Sequence, residues 1–215
     1  MKMDEKDQIL SNYQGVQEHL KDFPEAKLVA VSKRQEAHKL QILLDAGHVD
    51  FGENYLQALL ERKAEFPANI RWHFIGQVQS RKVKTLCEEG IHMVHGIGSE
   101  SSLKKLNQQN NMPEGGALLQ INLAGEEQKG GVSREQALEW QEKGLLQHIK
   151  GLMCIPPAGL SESELASHFR NMRLLKEEMG LLELSMGMSG DWAIALSEGA
   201  TLIRVGTGIF GHRLS

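Results

Sequence analysis

Large apolar residues fall in short runs, and stretches with helical spacing separate the runs along the whole chain. The runs 28–32, 48–52, 72–76, 92–95, 117–123, 150–155, 182–188 and 201–205 read as strands. They are rich in β-branched or other large apolar residues, and most close on Gly, Ser, Asn or Pro. Between the first two, 36–46 brings Leu40, Leu43 and Leu44 to one helical face and stops at Gly47, a natural C-terminal cap. Stretches 53–65, 81–89, 100–109, 134–146, 162–179 and 191–196 have the same character. Ser133 with Gln136, and Ser161 with Glu164, carry the capping-box signal. One more helix, 5–21, precedes the first strand.

Repeated strand–helix units imply a parallel sheet with right-handed crossovers. Eight strands is the number that closes a (β/α)8 TIM barrel, and 215 residues stands near the lower end of the about 200–400 typical of that fold. No helix is expected after strand eight, so the leading helix would cover the gap. An open doubly wound sheet is the alternative. The polar stretch 108–116 is too short for a linker, so one domain, 1–215, is expected.

Composition narrows the functional classes. With 40% hydrophobic and 24% charged residues the chain is neither disordered nor fibrous, and a net charge of −4 argues against an overall nucleic-acid footprint. Two cysteines, Cys87 and Cys154, build neither a disulfide framework nor a four-cysteine zinc site. The first residues run straight into charge with no apolar signal region, and no stretch approaches the about 20 apolar residues that span a bilayer. The expected location is the cytoplasm, with no membrane partner.

In such a barrel the reactive groups gather at the C-terminal ends of the strands, and phosphate binds after strands seven and eight. Lys33 follows the apolar run Leu28-Val29-Ala30-Val31, and alternation puts Val29, Val31 and Lys33 on one face. Facing inward, its ammonium would be partly desolvated, which favours the neutral amine that forms Schiff bases; facing outward, it is a solvated strand-end lysine. Two glycine-bearing turns, Ser189-Gly190 and Gly206-Thr207-Gly208, fall where the phosphate cup belongs. Ser189 is expected to cap the 191–196 helix, and glycine lets a backbone approach phosphate closely. Arg204 shares a face with Gly206 and would point into the same pocket. Buried there, it needs an anion or acceptor, which could be a ligand or an internal partner such as Glu53 or Glu198.

Other patterns carry less. Residues 206–211 match GxGxxG, but the dinucleotide reading needs a following helix and a distant acid, and neither is expected. No GxSxG nucleophile elbow occurs. His73, His92 and His95 show no spacing that forces convergence on a metal, so no metal site is expected and packed histidines are the simpler reading. Arg81, Lys82 and Lys84 read as a solvated face.

The segments Ala30-Val31-Ser32-Lys33, Phe51-Gly52-Glu53-Asn54-Tyr55 and Trp72-His73-Phe74-Ile75-Gly76, with Gln79-Ser80, resemble the YggS/PROSC family of pyridoxal 5′-phosphate (PLP) homeostasis proteins. So do Gly151-Leu152-Met153, the stretch from Ser185 to Asp191, and the stretch from Arg204 to Gly211. The motifs run in order through nearly the whole chain. The resemblance implies the barrel of the alanine racemase N-terminal domain. It also implies PLP as cofactor, joined to Lys33 as a Schiff base, with Asn54 beside the ring and Arg204 facing the pyridine nitrogen. Ser189 with the Gly206 and Thr207 backbone would hold the phosphate. Arg34, Ala58, Val78 and Arg81 depart from the family's usual residues, all beside the motifs and outside these contacts.

The function implied is intracellular PLP carriage without an established reaction, hence no catalytic residue, with PLP-dependent apoenzymes as the kind of partner such a carrier serves. A monomer is expected, since no long apolar heptad appears. An arginine opposite the ring nitrogen would weaken the electron sink that carbanion chemistry uses. With the chain ending soon after strand eight, the second domain with which alanine racemase supplies another base is not expected. A PLP-dependent racemase and a cofactor-free Schiff-base aldolase are the rival functions.

Overall fold

A computed structural model describes residues 4–123, 125 and 130–211. Eight parallel strands close into a barrel in chain order: β1 (Lys27–Val31), β2 (Asp50–Glu53), β3 (Arg71–Phe74), β4 (Met93–Ile97), β5 (Ala117–Ile121), β6 (Ile149–Cys154), β7 (Glu183–Ser185) and β8 (Leu202–Val205). Closure is made by β8 against β1, with Lys27 opposite Leu202 and Ala30 opposite Val205. The expected barrel is therefore present, and the open sheet is not.

Alternation along each strand divides the core in two. Val29, Met93, Leu118, Met153 and Leu202 point inward and fill the barrel as one cluster. Their neighbours Leu28, Ala30, Phe51, Trp72, Phe74, Leu119, Leu152 and Ile203 point outward beneath the helices. These helices are α1 (Glu5–Leu20), α2 (Ala37–Asp45), α3 (Leu56–Glu65), α4 (Ser80–Glu88), α5 (Glu100–Leu106), α6 (Arg134–Glu142), α7 (Glu162–Glu178), α8 (Trp192–Ser197) and α9 (Thr207–Phe210). Ser161 and Glu164 make the full capping box at α7, whereas Ser133 makes only its own half, accepting from the Gln136 amide. Gly47, at φ 84°, ends α2.

Two expectations need correction. A helix does follow strand eight: α9 has only four residues, too few to show a helical period in sequence. The GxGxxG-like glycines thus fall at the N-cap of α9, within it and at its C-cap. The leading helix α1 packs against α9 and α2 all the same, with Asn12 Nδ2 donating to the Ile209 carbonyl at 3.0 Å. Ser189 is not a cap either. Helix α8 begins at Trp192, its N-cap position is Asp191, and the Asp191 carboxylate accepts from the Met188 amide instead.

Candidate functional site

A cavity of about 350 Å³ opens at the C-terminal end of the barrel. Its lining contains each residue singled out from the sequence: Lys33, Asn54, Ser189, Arg204, Gly206 and Thr207. Val31, Ile75, Ile155 and Met188 add apolar walls that the sequence reading did not assign to the site. The strand-end rule alone could have found Ile155 and Met188, which follow β6 and β7.

Lys33 stands two residues beyond the last residue of β1 and is exposed, so of the two readings open from the sequence the solvated strand-end lysine is the one present. It rides on a tight turn closed by the Gln35 amide donating to the Ser32 carbonyl at 3.0 Å. Buried Glu53 anchors that turn. Its Oε1 lies 2.7 Å from Ser32 Oγ and 2.9 Å from Arg62 Nε, and Arg62 also donates to the Ser32 and Gln35 carbonyls. Burial pushes the Glu53 carboxyl up, and the Ser32 and Arg62 bonds offset only part of that rise. Glu53 is therefore not available to Arg204. Glu198 is engaged too, by Arg170 at 2.6 Å.

Arg204 is buried inside the barrel, as alternation required. Its Nη1 donates to Ser185 Oγ at 2.5 Å and its Nη2 to the Cys154 carbonyl at 2.9 Å. Among the described residues no carboxylate pairs with it, so the internal salt bridge considered from sequence is not present. Burial pushes the guanidinium below its ordinary value. The Cys154 thiol, buried beside it, is pushed up to about 12 and is unreactive as a nucleophile.

Across the pocket, Ser189 Oγ accepts from the Gly206 amide at 3.2 Å and from the Gly208 amide at 3.0 Å. Both amides are taken up by this hydroxyl, which fixes Ser189 on the glycine turn at the cavity wall. A Cβ at Gly208 would lie 2.9 Å from Val205, which explains glycine at that position.

His73 and His95 are fully buried inside the barrel. His73 contacts Asp50 and His95 at 3.1 and 3.0 Å, a contact chain that no spacing along the chain reveals. Asp50, His73 and His92 bring their ligand atoms within 4.8 Å of one another. A cation there would meet the Arg71 guanidinium, which already donates to both Asp50 oxygens, and that positive charge disfavours a metal.

Known proteins share this barrel. No family model matches the chain. The chain is 39% identical over 206 residues to the pyridoxal phosphate homeostasis protein of Synechocystis, spanning 89% of this chain and 93% of that one. To the protein of the same description in Schizosaccharomyces pombe it is 36% identical over 202 residues, 86% of this chain and 84% of that one. The PipY structure of Synechococcus elongatus with PLP bound superposes with a TM-score of 0.85 at 32% identity, covering 95% of this chain and 100% of that one. Alanine racemase of Bartonella henselae, at 17% identity and a TM-score of 0.76 over 98% of this chain and 64% of that one, shares the fold. Motif order, barrel and full-length likeness converge on one assignment: the chain belongs to the pyridoxal phosphate homeostasis protein family.

Proposed function

We propose that this chain binds pyridoxal 5′-phosphate at the mouth of the barrel and holds it in reserve for the cell, with Lys33 as the covalent anchor. The observation that carries this reading is the convergence of an exposed primary amine, a serine hydroxyl held on a glycine turn by two backbone amides, and a buried arginine without a carboxylate on one cavity. When bound, PLP supplies an aldehyde that a primary amine captures reversibly. Each protein group fits one part of the molecule. Lys33 offers the amine from the turn beyond β1, and its exposure leaves an incoming amine free to reach the same carbon. Ser189 and the Gly206–Gly208 backbone receive the phosphate, with Thr207 at the same turn. Arg204 faces the ring nitrogen, and Asn54 flanks the ring.

The same lining argues for a carrier over a racemase. Lys33 and Arg204 are the only titratable residues among the described lining, so no second acid or base stands ready to exchange a proton at a substrate carbon. An arginine donating toward the ring nitrogen also opposes its protonation and weakens the electron sink. The homeostasis names of the relatives, and PLP bound in PipY, support the reading. Storage within the cytoplasm and hand-over to PLP-dependent apoenzymes complete the proposal.

The test is borohydride reduction of PLP-loaded protein followed by peptide mass analysis. The reduced pyridoxyl adduct is expected on Lys33, and Lys33→Ala protein should lose the visible absorbance of the loaded form. An adduct elsewhere, or unchanged absorbance in the variant, overturns the assignment. Sustained deuterium exchange at the Cα of amino acids by wild-type protein would favour the racemase.

A further inference from the structure

Beneath the pocket a row of buried polar side chains crosses the barrel. Ser185 Oγ, which accepts from Arg204, lies 2.9 Å from His95 Nδ1. His95 Nε2 lies 3.0 Å from His73 Nδ1, and His73 Nε2 lies 3.1 Å from Asp50 Oδ1. Arg71 donates to both Asp50 oxygens at the far, solvent-facing end.

Valence leaves this row one economical arrangement of protons. The Asp50 carboxylate only accepts, so His73 carries its hydrogen on Nε2 and accepts at Nδ1. His95 then donates through Nε2 and accepts at Nδ1. The hydrogen it accepts there is the Ser185 hydroxyl's, and the hydroxyl oxygen receives Arg204. Both histidines are neutral in this arrangement, and burial pushes both below their ordinary value. All the bonds therefore run in one direction, away from Arg204 and toward Asp50. Each polarises the next, so the row turns its negative end to a guanidinium that has no carboxylate of its own.

We propose that Ser185, His95, His73 and Asp50 form a positioning relay that holds Arg204 against the pyridine nitrogen of the bound cofactor. The relay stands in for the missing counter-ion, and its role rests on the reading of the pocket as a PLP site. None of the four touches the cofactor; they act through Arg204.

Two measurements test it. In ligand-free protein labelled with ¹⁵N-histidine, long-range ¹H–¹⁵N correlation at neutral pH should show the Nε2–H tautomer at both His73 and His95. An imidazolium at either residue, or an Nδ1–H tautomer at His95, overturns the relay. This needs neither a variant nor a cofactor. Separately, wild-type and Ser185→Ala proteins are titrated with PLP and with its analogue carrying C–H in place of the ring nitrogen. Ser185→Ala should weaken PLP about tenfold, as expected when a bond to a charged group is lost. It should leave the analogue within about twofold. Equal losses for the two ligands would mean that Ser185 only supports the fold, and the relay's role fails. Failure of wild-type protein to bind PLP would instead sink the pocket reading, and the tautomers would still report whether the row is ordered as derived.

Discussion

Arg34, at φ 58°, holds a left-handed conformation that costs a non-glycine residue about 1–2 kcal/mol. It sits in the Lys33 turn, and the side chains beneath explain why the turn persists: Arg62 grips the carbonyls of Ser32 and Gln35 on either side, while Glu53 holds Arg62 and Ser32 together. Arg62→Ala would remove that grip and leave Glu53 buried without its cation. Breaking a buried pair costs about 3–5 kcal/mol, and the lower end is expected because Arg62 keeps 14% side-chain exposure. Urea denaturation should show that loss, and PLP titration should show weaker binding of the same variant. At this scale Arg204 was legible, because strand alternation gives a side chain's direction, while Lys33, on the turn beyond β1, was legible only as a strand-end residue. Arg62 was not, since α3 meets the Lys33 turn only in three dimensions. Ser189 was found for a partly wrong reason: it lines the pocket, but its hydroxyl accepts from the Gly206 and Gly208 amides at the start of α9 and does not cap α8.

Among elements, the turns after β2 and β3 and the end of β4 press on one another through glycines. A Cβ on Gly76 would lie 2.1 Å from the Asn54 carbonyl oxygen, and one on Gly96 would lie 2.2 Å from the Gly76 carbonyl oxygen. Both obstacles are backbone and cannot swing aside. Gly76→Ala should therefore cost about 3 kcal/mol, the upper part of the range for overpacking. It should also shift Asn54, read as a fall in thermal midpoint together with weaker PLP binding. The elements were found from periodicity, but their ends were not. The apolar stretch 182–188 forms strand only over Glu183–Ser185, because Gly187 turns the chain at φ 90° and a Cβ there would lie 2.6 Å from that of Ala195. Likewise, β2 extends through Glu53, so α3 starts at Leu56 and the expected start at 53 is displaced.

For the whole molecule, the buried histidines couple stability to pH. His73 and His95 are held below the ordinary 6.5 by burial, so below that pH the unfolded chain binds more protons than the folded one. Stability should fall as pH drops below 6.5, by about 1.4 kcal/mol per pH unit for each histidine until its folded value is reached. Asp50 acts in a separate window. Burial alone would raise its carboxyl, but the bonds from His73 and Arg71 outweigh that and hold it low, so its contribution is full above the ordinary 3.8 and is lost progressively as pH falls from there toward the lowered folded value. Urea denaturation at pH 7.5 and 5.5 should show the histidine effect. His95→Gln should reduce the slope between those conditions; an unchanged slope would place the acid sensitivity elsewhere.

Local pattern was enough for the closed barrel, for the strand ends that carry chemistry, and for Lys33, Arg204 and the two glycine turns. Period and alternation are properties of neighbouring residues, and the strand number is their sum. The clamp on the Lys33 turn, the carboxylate-free setting of Arg204 and the row from Ser185 to Asp50 needed the closed fold. Each joins side chains from different strands and helices, and whether a buried charge meets a carboxylate, a hydroxyl or a carbonyl depends on which strands become neighbours across the barrel.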